Sequence, residues 1–192
     1  MKQPNKKFFI IGGANGIGKT TLSKEMLKDY NCAFLNADKI AEGLNPQNIG
    51  EVKIKAGKLL FENLAQLFAD RKNIAIESTL SGKFLLKVIE RAKKKGYEII
   101  LLFIYVDSPK ICIERIKDRI EKGGHYICDE DVVRRYNRGL KNFWTLYKDV
   151  VDEWYLYHNT FEQPVTIAKY IDNEMIIISD KKFADFTRRI FK

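Results

Sequence analysis

The stretch Gly13-Ala14-Asn15-Gly16-Ile17-Gly18-Lys19-Thr20 constrains this chain more than any other. It fits G-x-x-x-x-G-K-[ST], in which a glycine-rich turn presents successive backbone N–H groups to an anion. The glycines permit positive φ, and the turn opens a helix whose free N–H groups and dipole also favour phosphate. In such a loop the lysine, here Lys19, reaches the β- and γ-phosphates, and the Thr20 hydroxyl ligates Mg²⁺. The flanks suit this reading. Lys6-Lys7 lead into Phe8-Phe9-Ile10-Ile11, an apolar run fit for a buried parallel strand. After the loop, Leu22, Met26, Leu27 and Tyr30 share one helical face. The expected nucleotide-binding set is therefore Gly13, Ala14, Asn15, Gly16, Ile17, Gly18, Lys19, Thr20 and the adjoining Thr21, with Thr20 the expected metal ligand.

A length of 192 residues suits one domain, and 45% hydrophobic content allows a sizeable core. The longest apolar run, residues 99–106, is of strand length and far below a membrane span. The lysines near the N-terminus precede only four apolar residues, too few for a signal peptide. Three cysteines without CxxC spacing suggest a reducing, cytoplasmic setting. The net charge of +9 is compatible with nucleic acid. The cations, however, are scattered over amphipathic helices, as at Lys93-Lys94-Lys95, which suits solvated faces better.

Strand-like and helix-like segments alternate, which predicts an α/β fold: a mainly parallel five-stranded sheet flanked by helices. Strands are expected near residues 7–12, 32–36, 73–77, 98–106 and 153–157. A small hairpin turning at Asp172-Asn173-Glu174 and a terminal helix are expected over about 164–192. In a parallel sheet ligands gather beyond the carboxyl ends of the strands, so polar residues there carry weight. Asn36 and Asp38 follow the second strand, and Asp38 is either a general base beside the phosphates or a helix N-cap. Glu77 and Thr79 follow the third. Glu77 is positioned to orient an acceptor, to hold Mg²⁺ through water, or simply to end a strand in solvent. Asp107 suits a helix start with Ser108 and Pro109 better than a metal site.

Arg115 and Arg119 lie four apart, and Arg134, Arg135 and Arg138 follow after Gly123-Gly124-His125. Two arginine-bearing helices over about 115–138 suit a lid over triphosphate, because a guanidinium neutralises charge spread over phosphoryl oxygens. Surface ion pairs with Glu114, Asp118 and Glu121 are the alternative. His125 and Cys128 alone do not make a zinc site. Trp144, Trp154 and Tyr155 read as core or interface residues, and no interleaved basic-aromatic motif for RNA is present.

Taken together, the chain resembles the zeta-toxin family of P-loop kinases from residue 8 to about 168. The resemblance rests on the P-loop, Asn36-Ala37-Asp38-Lys39-Ile40-Ala41, Glu77-Ser78-Thr79-Leu80-Ser81-Gly82, Gly123-Gly124-His125 and Arg134-Arg135-Tyr136 with Asn142-Phe143. It implies a nucleotide- and shikimate-kinase-like fold and ATP- and Mg²⁺-dependent transfer of the γ-phosphate to a small-molecule hydroxyl. In characterised toxins the acceptor is a UDP-N-acetyl amino sugar. The resemblance implies Asp38 as base, Asn36, Glu77 and Thr79 as acceptor-site residues, and Arg119 with Arg134 as lid arginines, Arg135 being a competing match. It places Asn159 near adenine and suggests an antitoxin partner. The chain departs from relatives that carry Y-D-N-S, having Tyr157-His158-Asn159-Thr160. A polynucleotide or nucleoside kinase, and a non-catalytic ATP-binding module, are the rival readings.

Overall fold

The structure is a computed structural model, described here for residues 6–46, 48–124, 126–161 and 163–191. Readings that fall on His125 lie outside the described residues. The chain runs β1 (Lys6–Gly12), α1 (Lys19–Met26), β2 (Cys32–Leu35), α2 (Ala37–Leu44), α3 (Ile49–Ala69), β3 (Asn73–Ser78), α4 (Phe84–Lys94) and β4 (Tyr97–Tyr105). It continues through α5 (Pro109–Glu121), α6 (Asp129–Asn142), a π-helical turn (Phe143–Tyr147), β5 (Glu153–His158), β6 (Val165–Ile171), β7 (Glu174–Ile177) and α7 (Asp180–Ile190).

Among the described residues these strands form one sheet in the order β2-β3-β1-β4-β5-β6-β7. The first five are parallel neighbours, as the alternating sequence pattern predicts. The C-terminal hairpin is not a separate appendage: β6 pairs antiparallel with β5, and β7 with β6, so the sheet has seven strands. Without the hairpin, β5 would be an open edge with unpaired backbone groups. Trp154 of β5 stacks on Tyr170 of β6 at 6.2 Å and strengthens the junction. The hairpin turns on Asp172 and Asn173, both in the left-handed region at φ 52 and 63, where Asp and Asn are tolerated in two-residue loops.

The core lies on both faces of β1 and β4. Phe8, Ile10, Ile11, Ile99, Leu101 and Ile104 are fully buried, which is why these strands read as continuous apolar runs. The register aligns Gly12 with Ser78 and Phe103, so the strand ends form one ledge under the P-loop. Local signals behave as their chemistry requires. Ser108 caps α5 by accepting the Lys110 N–H at 3.1 Å, with Pro109 in the first turn. Gly96, at φ 73, ends α4.

Helix α7 packs across the sheet through Phe186, fully buried against Tyr105 at 5.0 Å and Phe143 at 6.0 Å. Trp154 belongs to the core, and Trp144 packs against Phe183 and Phe186. No described helix is long and apolar enough to cross a membrane.

Candidate active site

Residues 13–20 leave β1 and enter α1 as the pattern requires, and Gly18 at the N-cap makes no side-chain cap bond. The first N–H groups of α1 therefore remain available to a ligand. Gly16 and Gly18 are obligatory. At φ 75 and 95 they hold conformations that L side chains rarely adopt. A Cβ on Gly16 would lie 2.4 Å from the Cys112 carbonyl oxygen, and one on Gly18 2.6 Å from Asn159 Nδ2.

Lys19 folds back, its Nζ donating to the carbonyls of Gly13 and Ala14 at 2.8 Å each. Removal of this ammonium from water lowers its pKa, against the opposing pull of Glu77 and Asp38. Thr20 Oγ1 donates to Glu77 Oε1 at 2.8 Å, and Asn36 Nδ2 donates to Glu77 Oε2 at 2.7 Å. Glu77 thus joins α1, β3 and the start of α2; it does not end a strand in solvent.

Asn36, not Asp38, caps α2: its Oδ1 accepts the N–H groups of Asp38 at 2.8 Å and Lys39 at 3.2 Å. Released from capping, the Asp38 carboxylate faces the loop and accepts from Asn15 Nδ2 at 3.5 Å. Asn15 is nearly buried, and its other end accepts from Arg135 Nη1 at 2.9 Å. One amide therefore spans from the carboxylate on α2 to the guanidinium on α6.

These groups surround a cleft of about 750 Å³. Its walls include Asn15 through Thr21, Asn36, Asp38, Glu77 and Thr79. Arg115 and Arg119 of α5 and Arg134 and Arg135 of α6 line it as well, joined through the left-handed turn at Gly123. Arg138 is exposed and does not line it. The two adjacent arginines differ. Arg134 is 48% exposed and pairs with Asp131, whereas Arg135 is 22% exposed and bridges Asp131 and Asn15.

Helix α6 is tied to the sheet by the Tyr136 hydroxyl, which donates to the Val106 carbonyl at 2.6 Å. Gly139 lets α6 approach Thr79, because a Cβ there would meet the Thr79 carbonyl oxygen at 2.6 Å. Between them Leu80 sits buried at φ 54, its carbonyl accepting from Asn142 Nδ2 at 2.7 Å. A strained, over-determined residue beside a cleft is a usual mark of a functional wall.

Gly13 and Ala14 lie behind the loop, and the Gly13 N–H is spent on the Ser78 carbonyl at 3.1 Å. Asn159 sits on the outer flank, donating to the Ile17 carbonyl at 2.8 Å. Asp107 is drawn away from the cleft by Arg189 Nη2 at 3.2 Å and His158 Nε2 at 3.0 Å. Sequence reasoning missed the bridging role of Asn15, and Glu42, Leu60 and Phe84 as part of the cleft wall. Only the P-loop variable positions hinted at the first; helix-stripe residues such as Leu60 carry no signal that separates cleft from core.

A phosphate-binding turn, a mainly parallel sheet and an arginine-bearing helix pair define a protein with the P-loop kinase fold. Residues 1–162 match the Zeta toxin family model. An uncharacterized protein of Haemophilus influenzae is 33% identical over 132 residues, 69% of this chain and 93% of that protein. The fold is similar to a structure from the PezAT chromosomal toxin-antitoxin system of Streptococcus pneumoniae. That match has TM-score 0.70 and 17% identity, and covers 100% of this chain and 88% of that one. It is also similar to the AvrRxo1-ORF1:AvrRxo1-ORF2 structure with sulphate ions, at TM-score 0.77 and 16% identity, covering 95% of this chain and 64% of that one. The chain belongs to the Zeta toxin family.

Proposed function

We propose that this chain is an ATP-dependent kinase that moves the γ-phosphate to a hydroxyl of a small-molecule acceptor. The observation that carries the reading is the Asn15 bridge. It holds a carboxylate and a guanidinium at the two ends of one amide within the phosphate loop.

In this reading the loop amides, the start of α1 and Lys19 hold the triphosphate, Lys19 exchanging its contacts with Gly13 and Ala14 for phosphate oxygens. Asp38 accepts the proton of the acceptor hydroxyl as its oxygen forms the new P–O bond, while the bond to the bridging oxygen breaks and ADP leaves. Arg135, with Arg119 and Arg134 in the same cleft, stabilises the charge on the transferring group. Asn36, Glu77 and Thr79 form the acceptor wall, and Asn159 flanks the loop on the nucleotide side.

The residues fit Mg²⁺. Thr20 Oγ1 and a Glu77 oxygen are hard donors 2.8 Å apart, and this ion needs few protein ligands beyond phosphate and water. Bound there, it would neutralise charge on the phosphates.

The family resemblance makes a UDP-N-acetyl amino sugar the first acceptor to try. The similar PezAT structure comes from a chromosomal toxin-antitoxin system, and the similar AvrRxo1 structure is of AvrRxo1-ORF1 with AvrRxo1-ORF2, which together support a protein partner. ADP release from Mg·ATP across an acceptor panel, UDP-sugars first, tests the reading. Turnover with one acceptor, abolished in Lys19→Ala, is expected. ATP binding without ADP release under every acceptor would favour a non-catalytic module.

A further inference from the structure

The family match ends at residue 162, so β6, β7 and α7 lie beyond it. Yet α7 returns to the nucleotide side of the site. Arg189 donates through Nη1 to the Asp107 carbonyl and through Nη2 to Asp107 Oδ1 at 3.2 Å. That same carboxylate oxygen is 3.0 Å from His158 Nε2. His158 is only 4% exposed, and its Nε2 is also 2.9 Å from Thr160 Oγ1. Thr160 Oγ1 accepts the Asp107 N–H at 2.9 Å, and the Thr160 carbonyl accepts from Arg115 Nη2 at 3.2 Å. Asn159 sits between these anchors. Its N–H donates to the Tyr105 carbonyl at 2.8 Å, and its side chain donates to the Ile17 carbonyl inside the P-loop, also at 2.8 Å.

Hydrogen bonds joined through the backbone of residues 158–160 therefore link the C-terminal helix to the phosphate loop and to Arg115, a residue of the cleft wall. The root of Arg189 is itself fixed. Phe186, one turn earlier on α7, is fully buried, and the Lys182 carbonyl accepts the Tyr105 hydroxyl at 3.3 Å. At the receiving end the Asn159 amide packs directly over Gly18, where a Cβ would lie 2.6 Å from Nδ2. A displaced turn would move both Asn159 off the loop and Arg115 out of the cleft.

We propose that α7 is a positioning element for the nucleotide. Arg189, through Asp107 and the residues 158–160 turn, holds Asn159 against the P-loop and Arg115 in the cleft, and thereby sets nucleotide affinity. The proposal rests on the reading of the cleft as a nucleotide site. Arg189 touches no reacting atom and acts only through Asp107.

Calorimetric titration of the full chain with Mg·ADP, which needs no acceptor, separates the two. Binding by the unaltered chain that is lost in Lys19→Ala upholds the nucleotide reading; its absence sinks that reading whatever the variants do. Given binding, Arg189→Ala is expected to weaken Mg·ADP by about 5- to 20-fold, the scale of losing a supporting contact behind a site. Arg189→Lys, which keeps charge but not the fork, falls between. Arg188→Ala, exposed on the same helix, serves as the unchanged reference.

A merely structural role would lower the melting temperature and leave the affinity of the folded protein alone. Affinity within about twofold of the unaltered chain, measured well below melting, overturns the proposal. If Arg189→Ala does not fold, Thr160→Val decides by the same two thresholds, since it keeps shape and removes only the hydroxyl that joins Asp107 to His158.

Discussion

The two ends of the cleft are built differently. At the phosphate end, short side chains and backbone groups hold one another. Thr20 and Asn15 each bond across elements, and Lys19 is satisfied by loop carbonyls. Farther from the loop the cleft wall is looser. Phe84 is 44% exposed, meets Phe61 only edge to face at 5.8 Å, and stands beside Leu60 and Glu42. The first arrangement is pre-organised for one chemical group, because its donors are already fixed before a ligand arrives. The second adds apolar area at Leu60 and Phe84, where selection depends on shape. Chemistry and acceptor choice should therefore separate by mutation.

The largest separation is expected at Asp38. Asp38→Asn keeps the side-chain size but cannot take a proton, so kcat should fall by about 10³-fold with little change in Mg·ATP affinity. Unaltered turnover in single-turnover assays would remove Asp38 from the mechanism. Next comes the contrast between the two adjacent arginines of α6. Arg135→Ala should cost about 10²-fold in kcat, while Arg134→Ala should cost far less, because only Arg135 contacts the P-loop through Asn15. The reverse ranking would show that Arg134, not Arg135, meets the transferring group.

Phe84→Ala probes the other end. It should raise the acceptor KM by about tenfold and leave ATP kinetics and melting nearly unaltered, since the ring is half in solvent. A fall in kcat instead would mean that the wall also orients the acceptor hydroxyl.

The smallest effect concerns acid. Burial pushes the Asp107 carboxyl up, but Thr160, His158 and Arg189 outweigh it and leave its pKa below the ordinary value. A depressed folded pKa contributes stability above the unfolded value of about 3.9, and that stability is lost as pH falls through the lower folded value. Asp107→Asn should therefore flatten the acid side of a melting-temperature profile below about pH 4, by a modest amount because the side chain is partly exposed. An unaltered profile would show that Asp107 does not tie α7 to the turn when charged.

Much of the P-loop half of the cleft was legible in the chain. Strand, glycine loop and helix are adjacent in sequence, so residues 8–30 specify their own geometry with little help from elsewhere. The placing of Asn36, Asp38 and Glu77 was legible for a related reason: parallel strands put such residues on one ledge. Their division of labour was not. Asp and Asn are both good N-caps, and only the fold shows that Asn36 takes the cap and leaves Asp38 free for the cleft. Arg134 and Arg135 were equally ambiguous, because neighbouring helical positions point about 100° apart and the sequence does not state which faces inward. The hairpin was visible as a hairpin, but its pairing with β5 depends on an edge that exists only once the sheet is assembled.

By itself, then, the sequence determined what is local: the phosphate loop, the strand-helix alternation, and the capping and turn residues whose φ preferences act over a few positions. Only the tertiary structure decided the long-range contacts: the Asn15 bridge between residues 38 and 135, and the path from Arg189 to Asp107 and on to the P-loop. The physical reason is that a hydrogen bond between residues so distant in sequence has no local signature. It is selected by packing, which brings its partners within 3.5 Å only after the core around β1 and β4 has formed.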